Sequence, residues 1–165
     1  MSIDITLPDG SVRNYESPVT GFQIAESIGP RLLKDAVCIE INNSFKDLSY
    51  EVSSDNNVRI ITNKDLDALH ILRHSSAHIL AQAVLNLYPD AQFGVGPSIE
   101  NGFYYDFLFS NPIKENDLIN IELEMKKIAK ESQSFIRSEI TKKDAIKLFK
   151  NQNLKIELIE TAETD

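Results

Sequence analysis

The chain has 165 residues, of which 42% are hydrophobic and 25% charged, and its formal net charge is −8. That composition suits one medium or two small globular domains and makes disorder a poor default for most of the chain. The negative balance argues against broad, nonspecific nucleic-acid binding, though not against recognition of one nucleic-acid end. No apolar run reaches the length of a membrane span, and Met1-Ser2-Ile3-Asp4 has neither the basic start nor the apolar core of a secretory signal. Cys38 is the only cysteine, which excludes a disulfide framework and reads as cytoplasmic.

Ile3, Ile5 and Leu7 alternate with polar residues and predict a strand with one buried face. Pro8-Asp9-Gly10 signals a turn, and Val12 to Tyr15 returns as a second strand. Thr20 precedes Gln23 by three residues, the capping-box spacing, and opens a helix through Ile24, Ala25 and Ile28 that Gly29-Pro30 should stop. Val37, Ile39 and Ile41 predict a strand ending at Asn42-Asn43, and Val58 to Ile61 another. Two strands, a helix and further strands within about sixty residues suggest a β-grasp module. Near Thr62-Asn63-Lys64 the period changes from two to helical, which places a boundary between a domain at 1–62 and a second at 63–165.

Leu69, Leu72, Leu80, Ala83, Val84 and Leu87 mark a long helix from about Leu66 to Tyr88, ended by Pro89. Asn101-Gly102 predicts a tight hairpin. Leu118, Ile121, Met125 and Ile128 form one face of a second long helix, Phe135 to Ile140 reads as a strand, and Thr141 can cap a third helix. Leu154, Ile156 and Leu158 alternate, which predicts a last strand with Lys155 facing away from them. Thr161 to Asp165 shows no pattern and should fray. The expected fold class is α+β: a β-grasp unit, then a domain with a long central helix packed on an antiparallel sheet.

His74 and His78 are four apart on the long helix, so both imidazoles project from one face, along with Ile71, Ala81 and Leu85. Taken alone they read as satisfied core or surface histidines, and a zinc site would need further ligands. No Glu follows His74, so the zinc-protease pattern is absent, and no Gly-rich phosphate loop offers an ATP site. Gly94, Gly96 and Pro97 could let a ligand approach the backbone closely; the plain alternative is a loop between helix and strand. Tyr104 and Tyr105 point to opposite faces, so one belongs in a core and the other can line a cavity.

In order, these pieces resemble one family. Ile3-Asp4-Ile5-Thr6-Leu7-Pro8-Asp9-Gly10-Ser11 is similar to the opening of the TGS domain of threonyl-tRNA synthetases, a domain also found in some GTPases and stringent-response enzymes. Arg73-His74-Ser75-Ser76-Ala77-His78-Ile79-Leu80-Ala81 resembles the first editing motif of those synthetases. Gly96-Pro97 with Glu100-Asn101-Gly102-Phe103-Tyr104-Tyr105-Asp106-Phe107 resembles the strand pair lining the editing pocket, and Leu154-Lys155-Ile156-Glu157-Leu158-Ile159 the strand that brings its lysine. Alanyl-tRNA synthetases share the histidine motif but lack the leading TGS module.

The resemblance implies a TGS β-grasp domain followed by part of an editing domain. The family attaches threonine to tRNA using ATP and hydrolyses mischarged Ser-tRNA. By resemblance His74, His78 and Lys155 are the catalytic editing residues, and Gly96, Pro97 and Tyr105 bind the substrate. The partner implied is the aminoacylated 3′ end of tRNA, with no membrane partner, and the family enzyme is a homodimer. ATP, magnesium and a zinc ion belong to the family's catalytic domain, and no cofactor or metal is expected in these residues. The family's downstream Cys-x-x-x-His is absent from the chain, so these residues alone are expected to edit poorly. An unpaired sheet edge at Leu154 to Leu158 is expected to loosen Lys155. Two other functions compete: a free-standing factor that edits in trans, which should carry that Cys-x-x-x-His, and a noncatalytic RNA-binding or regulatory module, which would need no histidine pair.

Overall fold

The computed structural model describes residues 1–136 and 138–162 and divides into two compact units, Met1–Leu72 and Arg73–Asp165.

The first unit is a five-stranded sheet crossed by a helix. Its strands are β1 (Ser2–Thr6), β2 (Val12–Glu16), β4 (Ala36–Ile41), β5 (Ser44–Lys46) and β7 (Asn56–Thr62), in the order β2-β1-β7-β4-β5, with a two-residue ladder of β3 (Val19–Thr20) and β6 (Glu51–Val52) beside it. β1 and β7 are parallel at the centre and the hairpins antiparallel outside them, the β-grasp order. The alternation in β1 turns Ile3 and Ile5, with Leu7 just beyond its end, into one core with Ile24, Ile39, Ile41 and Val58, each side chain contributing about 1.5–3 kcal/mol by leaving water.

Helix α1 (Gly21–Ile28) starts at the expected capping box: Gln23 N donates to Thr20 Oγ1 (3.3 Å) and Thr20 N to Gln23 Oε1 (2.8 Å). Gly29 ends it in extended rather than left-handed backbone, and Pro30 opens a second short helix, α2 (Pro30–Asp35). Proline suits that first position because its missing N–H would have had no partner there. Asn42 and Asn43 turn the β4–β5 hairpin at φ +51° and +60°.

Helix α3 (Leu66–Leu87) begins in this unit, where Ala68 and Ile71 pack with Cys38, Val37 and Ile61. Arg59 on β7 bonds Glu40 (2.7 Å) and Asp67 (2.9 Å) and lies 3.6 Å from Asp65.

In the second unit α3 continues to Leu87, and α4 (Glu115–Lys130) packs Ile121 and Ile128 against its Ala83 and Val84, with Phe107, Phe109 and Tyr88 closing the cluster. Two short antiparallel ladders join β8 (Gln92–Phe93) to β11 (Phe107–Leu108) and β9 (Ser98–Ile99) to β10 (Gly102–Phe103). The β9–β10 turn is Glu100-Asn101, one residue earlier than expected, with Gly102 already on the returning strand. Helix α5 (Lys142–Leu148) starts at Thr141, whose Oγ1 accepts from Asp144 N at 3.2 Å.

Two expected strands are absent. Of Phe135 to Ile140, Arg137 lies outside the described residues, and the others form no strand. Leu154 to Leu158 is helical, within α6 (Asn153–Thr161). Three alternating apolar residues also place Leu154 and Leu158 four apart, so the pattern fits a helix equally well. Of the tail expected to fray, residues 163–165 lie outside the described residues, whereas Thr161 ends α6.

Candidate functional site

The histidine motif sits on the second-unit part of α3. Spacing of four on a helix brings the rings together: His74 Nε2 and His78 Nε2 are 3.1 Å apart, with ring planes at 88°. Between two neutral imidazoles, one ring N–H donates to the bare nitrogen of the other. Phe135 meets His78 edge-on, with centroids 6.2 Å apart. Burial holds the His78 pKa below its ordinary value, and the nearby charges of His74 and Lys155 push it the same way. A neutral imidazole near pH 7 is what a general base requires.

Lys155 comes from the first turn of α6. Its Nζ lies 5.0 Å from the Phe93 ring centroid and 5.9 Å from that of Tyr105. Burial lowers its pKa because desolvation penalises the ammonium form. Tyr105 stacks on Phe107 at 5.0 Å, and burial raises its phenol pKa. Gly96 fits beneath that tyrosine only because it has no side chain: a Cβ there would stand 2.1 Å from Tyr105 Cδ2. Backbone bonds from Gly94 N to Asp106 O and from Asp106 N to Val95 O, both 2.9 Å, hold the two segments in register. Pro97 is one residue further on, and its carbonyl accepts from Tyr104 N at 3.4 Å. Tyr104 is exposed and Tyr105 half-buried, so the two part as expected, although both lie between β10 and β11 and not on a strand.

The sequence-derived residues thus form two groups: the imidazole pair, and the lysine on an aromatic shelf with Tyr105 and Gly96. Phe93 and Phe135 complete the surroundings and were not singled out from the sequence as site residues. Contacts such as Phe93–Lys155 join residues far apart in the chain, and no local pattern encodes them. Arg73, beside the first histidine, donates to the carbonyls of Ile99 and Glu100 and so ties the β9–β10 turn to α3. A cavity of about 240 Å³ lies next to Phe135, lined by Ile79, Gln82, Ile128 and Gln133 among others. Among the described residues no group of three or more His, Cys, Asp or Glu side chains could hold a metal ion, and no helix is long and apolar enough to cross a membrane.

Residues 3–62 match the TGS domain family. Over 165 aligned residues, 99% of this chain, the sequence is 48% identical to the threonine–tRNA ligase of Francisella philomiragia, of which the alignment covers 26%. It is 47% identical over 157 residues to that of Gluconacetobacter diazotrophicus (94% of this chain, 24% of the relative). With that of Streptococcus gordonii it shares 48% over 164 residues (99% and 25%). The resemblance seen in the motifs therefore extends along nearly the whole chain, which spans about a quarter of the length of these relatives.

Proposed function

We propose that this chain, similar throughout to threonine–tRNA ligases and bearing their TGS domain, supplies part of a site that hydrolyses serine from tRNA meant for threonine. Serine lacks one methyl of threonine, and a pocket discriminates against a missing methyl by only about 1–3 kcal/mol, so a second, hydrolytic site is needed. The bond broken is the ester between the serine carbonyl and the terminal ribose of tRNA. Water adds to the carbonyl carbon, the water proton passes to an imidazole, and the ribose hydroxyl leaves with a proton.

In this reading His78, assisted by His74, takes the proton from water. The Lys155 ammonium faces the carbonyl oxygen and stabilises its developing negative charge. Tyr105 and the backbone at Gly96 and Pro97 bind the aminoacyl group. The observation that carries the reading is the imidazole pair, 3.1 Å apart. We assign threonylation, with the ATP, magnesium and zinc that the resemblance implies, to none of these residues.

Two experiments test this. In a threonine–tRNA ligase carrying these residues, the double change His74→Ala, His78→Ala should slow Ser-tRNA hydrolysis at least about 100-fold and leave threonylation intact. Unaltered hydrolysis would refute the assignment. Residues 1–165 alone should hydrolyse Ser-tRNA slowly or not at all. Brisk hydrolysis that vanishes in the double variant would show that they are sufficient.

A further inference from the structure

Helix α6 carries Lys155 but lacks a cap of its own. Gln152 stands at its N-cap position and makes no side-chain bond to the helix N–H groups, although a helix start leaves several N–H groups without partners. Two glutamines from distant parts of the chain meet there. Gln92 Oε1 accepts from Asn153 N at 2.7 Å, and Gln92 Nε2 donates to Asn151 O at 2.9 Å. In the other direction Gln152 Oε1 accepts from Phe93 N at 3.1 Å, and Gln152 Nε2 donates to Ala91 O at 3.1 Å. Each amide therefore uses its oxygen and its nitrogen on the backbone around the other.

We infer that Gln92 and Gln152 are the positioning residues of Lys155, a reciprocal amide clamp that fixes the lysine over its aromatic shelf. The clamp holds both sides of that contact. Phe93, whose N–H Gln152 accepts, bears the ring under the lysine Nζ. On the other side, the Gln152 carbonyl accepts from Lys155 N at 3.0 Å, within the turn that projects the lysine. β8 has only two residues, so its own ladder with β11 gives it little hold. All four bonds span roughly sixty residues of sequence and join β8 and its flanks directly to the start of α6. The half-buried state of Lys155, which lowers its pKa, depends on that link. The inference rests on the editing role proposed for Lys155, but its geometry can be read without catalysis.

The test is NMR on the 165-residue chain with labelled lysine, the Lys155 resonances being identified by their loss in Lys155→Arg. In the native chain they should show ring-current displacement and titrate below the other lysines. In Gln152→Ala the displacement should collapse, the titration should move up toward the other lysines, and the Phe93 amide should lose roughly tenfold in exchange protection. Gln92→Glu, which keeps the acceptor for Asn153 N and loses the donor to Asn151 O, should give an intermediate result and decides the matter if Gln152→Ala does not fold. A folded variant whose Lys155 shifts and titration match the native chain overturns the clamp. In a ligase carrying these residues, kcat for Ser-tRNA hydrolysis should fall with KM little changed. If the lysine signature moves while hydrolysis does not, the clamp stands and the catalytic role of Lys155 fails.

Discussion

Gly96→Ala should be among the most damaging single-methyl additions in the second unit. The added Cβ would fall 2.1, 2.3 and 2.7 Å from Cδ2, Cε2 and Cγ of Tyr105, in the body of the ring. Ordinary contact needs more than a further ångström, so the ring must leave. Phe107 stacks against it at 5.0 Å and Phe93 stands at 6.4 Å, so neither a small tilt nor a flip in place relieves the overlap. The backbone offers little escape, because the bonds between Gly94, Val95 and Asp106 pin both segments. Overpacking of this kind costs about 1–3 kcal/mol, and losing the aromatic stack adds about 0.5–1.5 kcal/mol. The expected loss is about 3 kcal/mol, which at a slope of about 1–3 kcal/mol per molar urea lowers the unfolding midpoint by roughly 1–3 M. The assay is urea unfolding followed on amide resonances of the second unit, such as Ala83 and Ile121. Gly29→Ala is the control: its backbone is extended, and a Cβ there meets nothing within 4 Å. If both variants unfold at the native midpoint, the close approach of Gly96 to Tyr105 is not real.

Three further outcomes are expected. Below pH 6.5 the unfolded chain takes up a proton at His78 that the folded chain resists, since the folded pKa lies lower; native stability should therefore fall as pH drops through that value. The His78→Gln variant should show a shallower decline in urea titrations over the same range, and parallel declines would exclude the depressed imidazole. Thr20→Ala removes one half of the capping box and should destabilise the first unit by about 1 kcal/mol, measured on resonances of Ile5 or Ile39. Cys38 is buried and its pKa is raised to about 11, so at neutral pH it should react with a chromogenic disulfide only through opening of the first core. Rapid labelling of the native chain would show that the thiol is exposed.

Much of the first unit was legible because its signals are local. Ile3, Ile5 and Leu7 alternate and are all buried, and Thr20 and Gln23 close the box their spacing predicts. β5 escaped notice because its three residues are too short and too exposed for a period to show. α2 was hidden by Pro30, which reads as a stop but serves as a start. In the second unit, helical spacing alone foretold the meeting of His74 and His78. The shelf under Lys155 and the amides of Gln92 and Gln152 could not be read, because each joins segments far apart in sequence and leaves no periodic trace.

The helical state of residues 153–161 also changes why these residues should be weak catalysts alone. A strand at Leu154 to Leu158 would have needed a neighbour, and an unpaired edge would have left Lys155 loosely held. A helix satisfies most of its backbone groups within itself, and Gln92 accepts from the Asn153 N–H at the start of α6. Lys155 is thus held by contacts already present: Phe93, Tyr105 and the clamp. The expected weakness then lies in the chemistry and not in a mobile lysine. Two imidazoles bonded to each other can relay a proton, but both rings stand exposed, and the proposed site needs a further wall, beyond Tyr105, Gly96 and Pro97, to hold the ester against its water. Loss of that positioning is where large rate factors disappear. Lys155→Ala in the isolated residues should therefore change little, whereas in a complete ligase the same substitution should remove most of the hydrolysis. Comparing the two by Ser-tRNA deacylation separates a missing wall from a misplaced lysine, and an equal effect in both settings would refute the distinction.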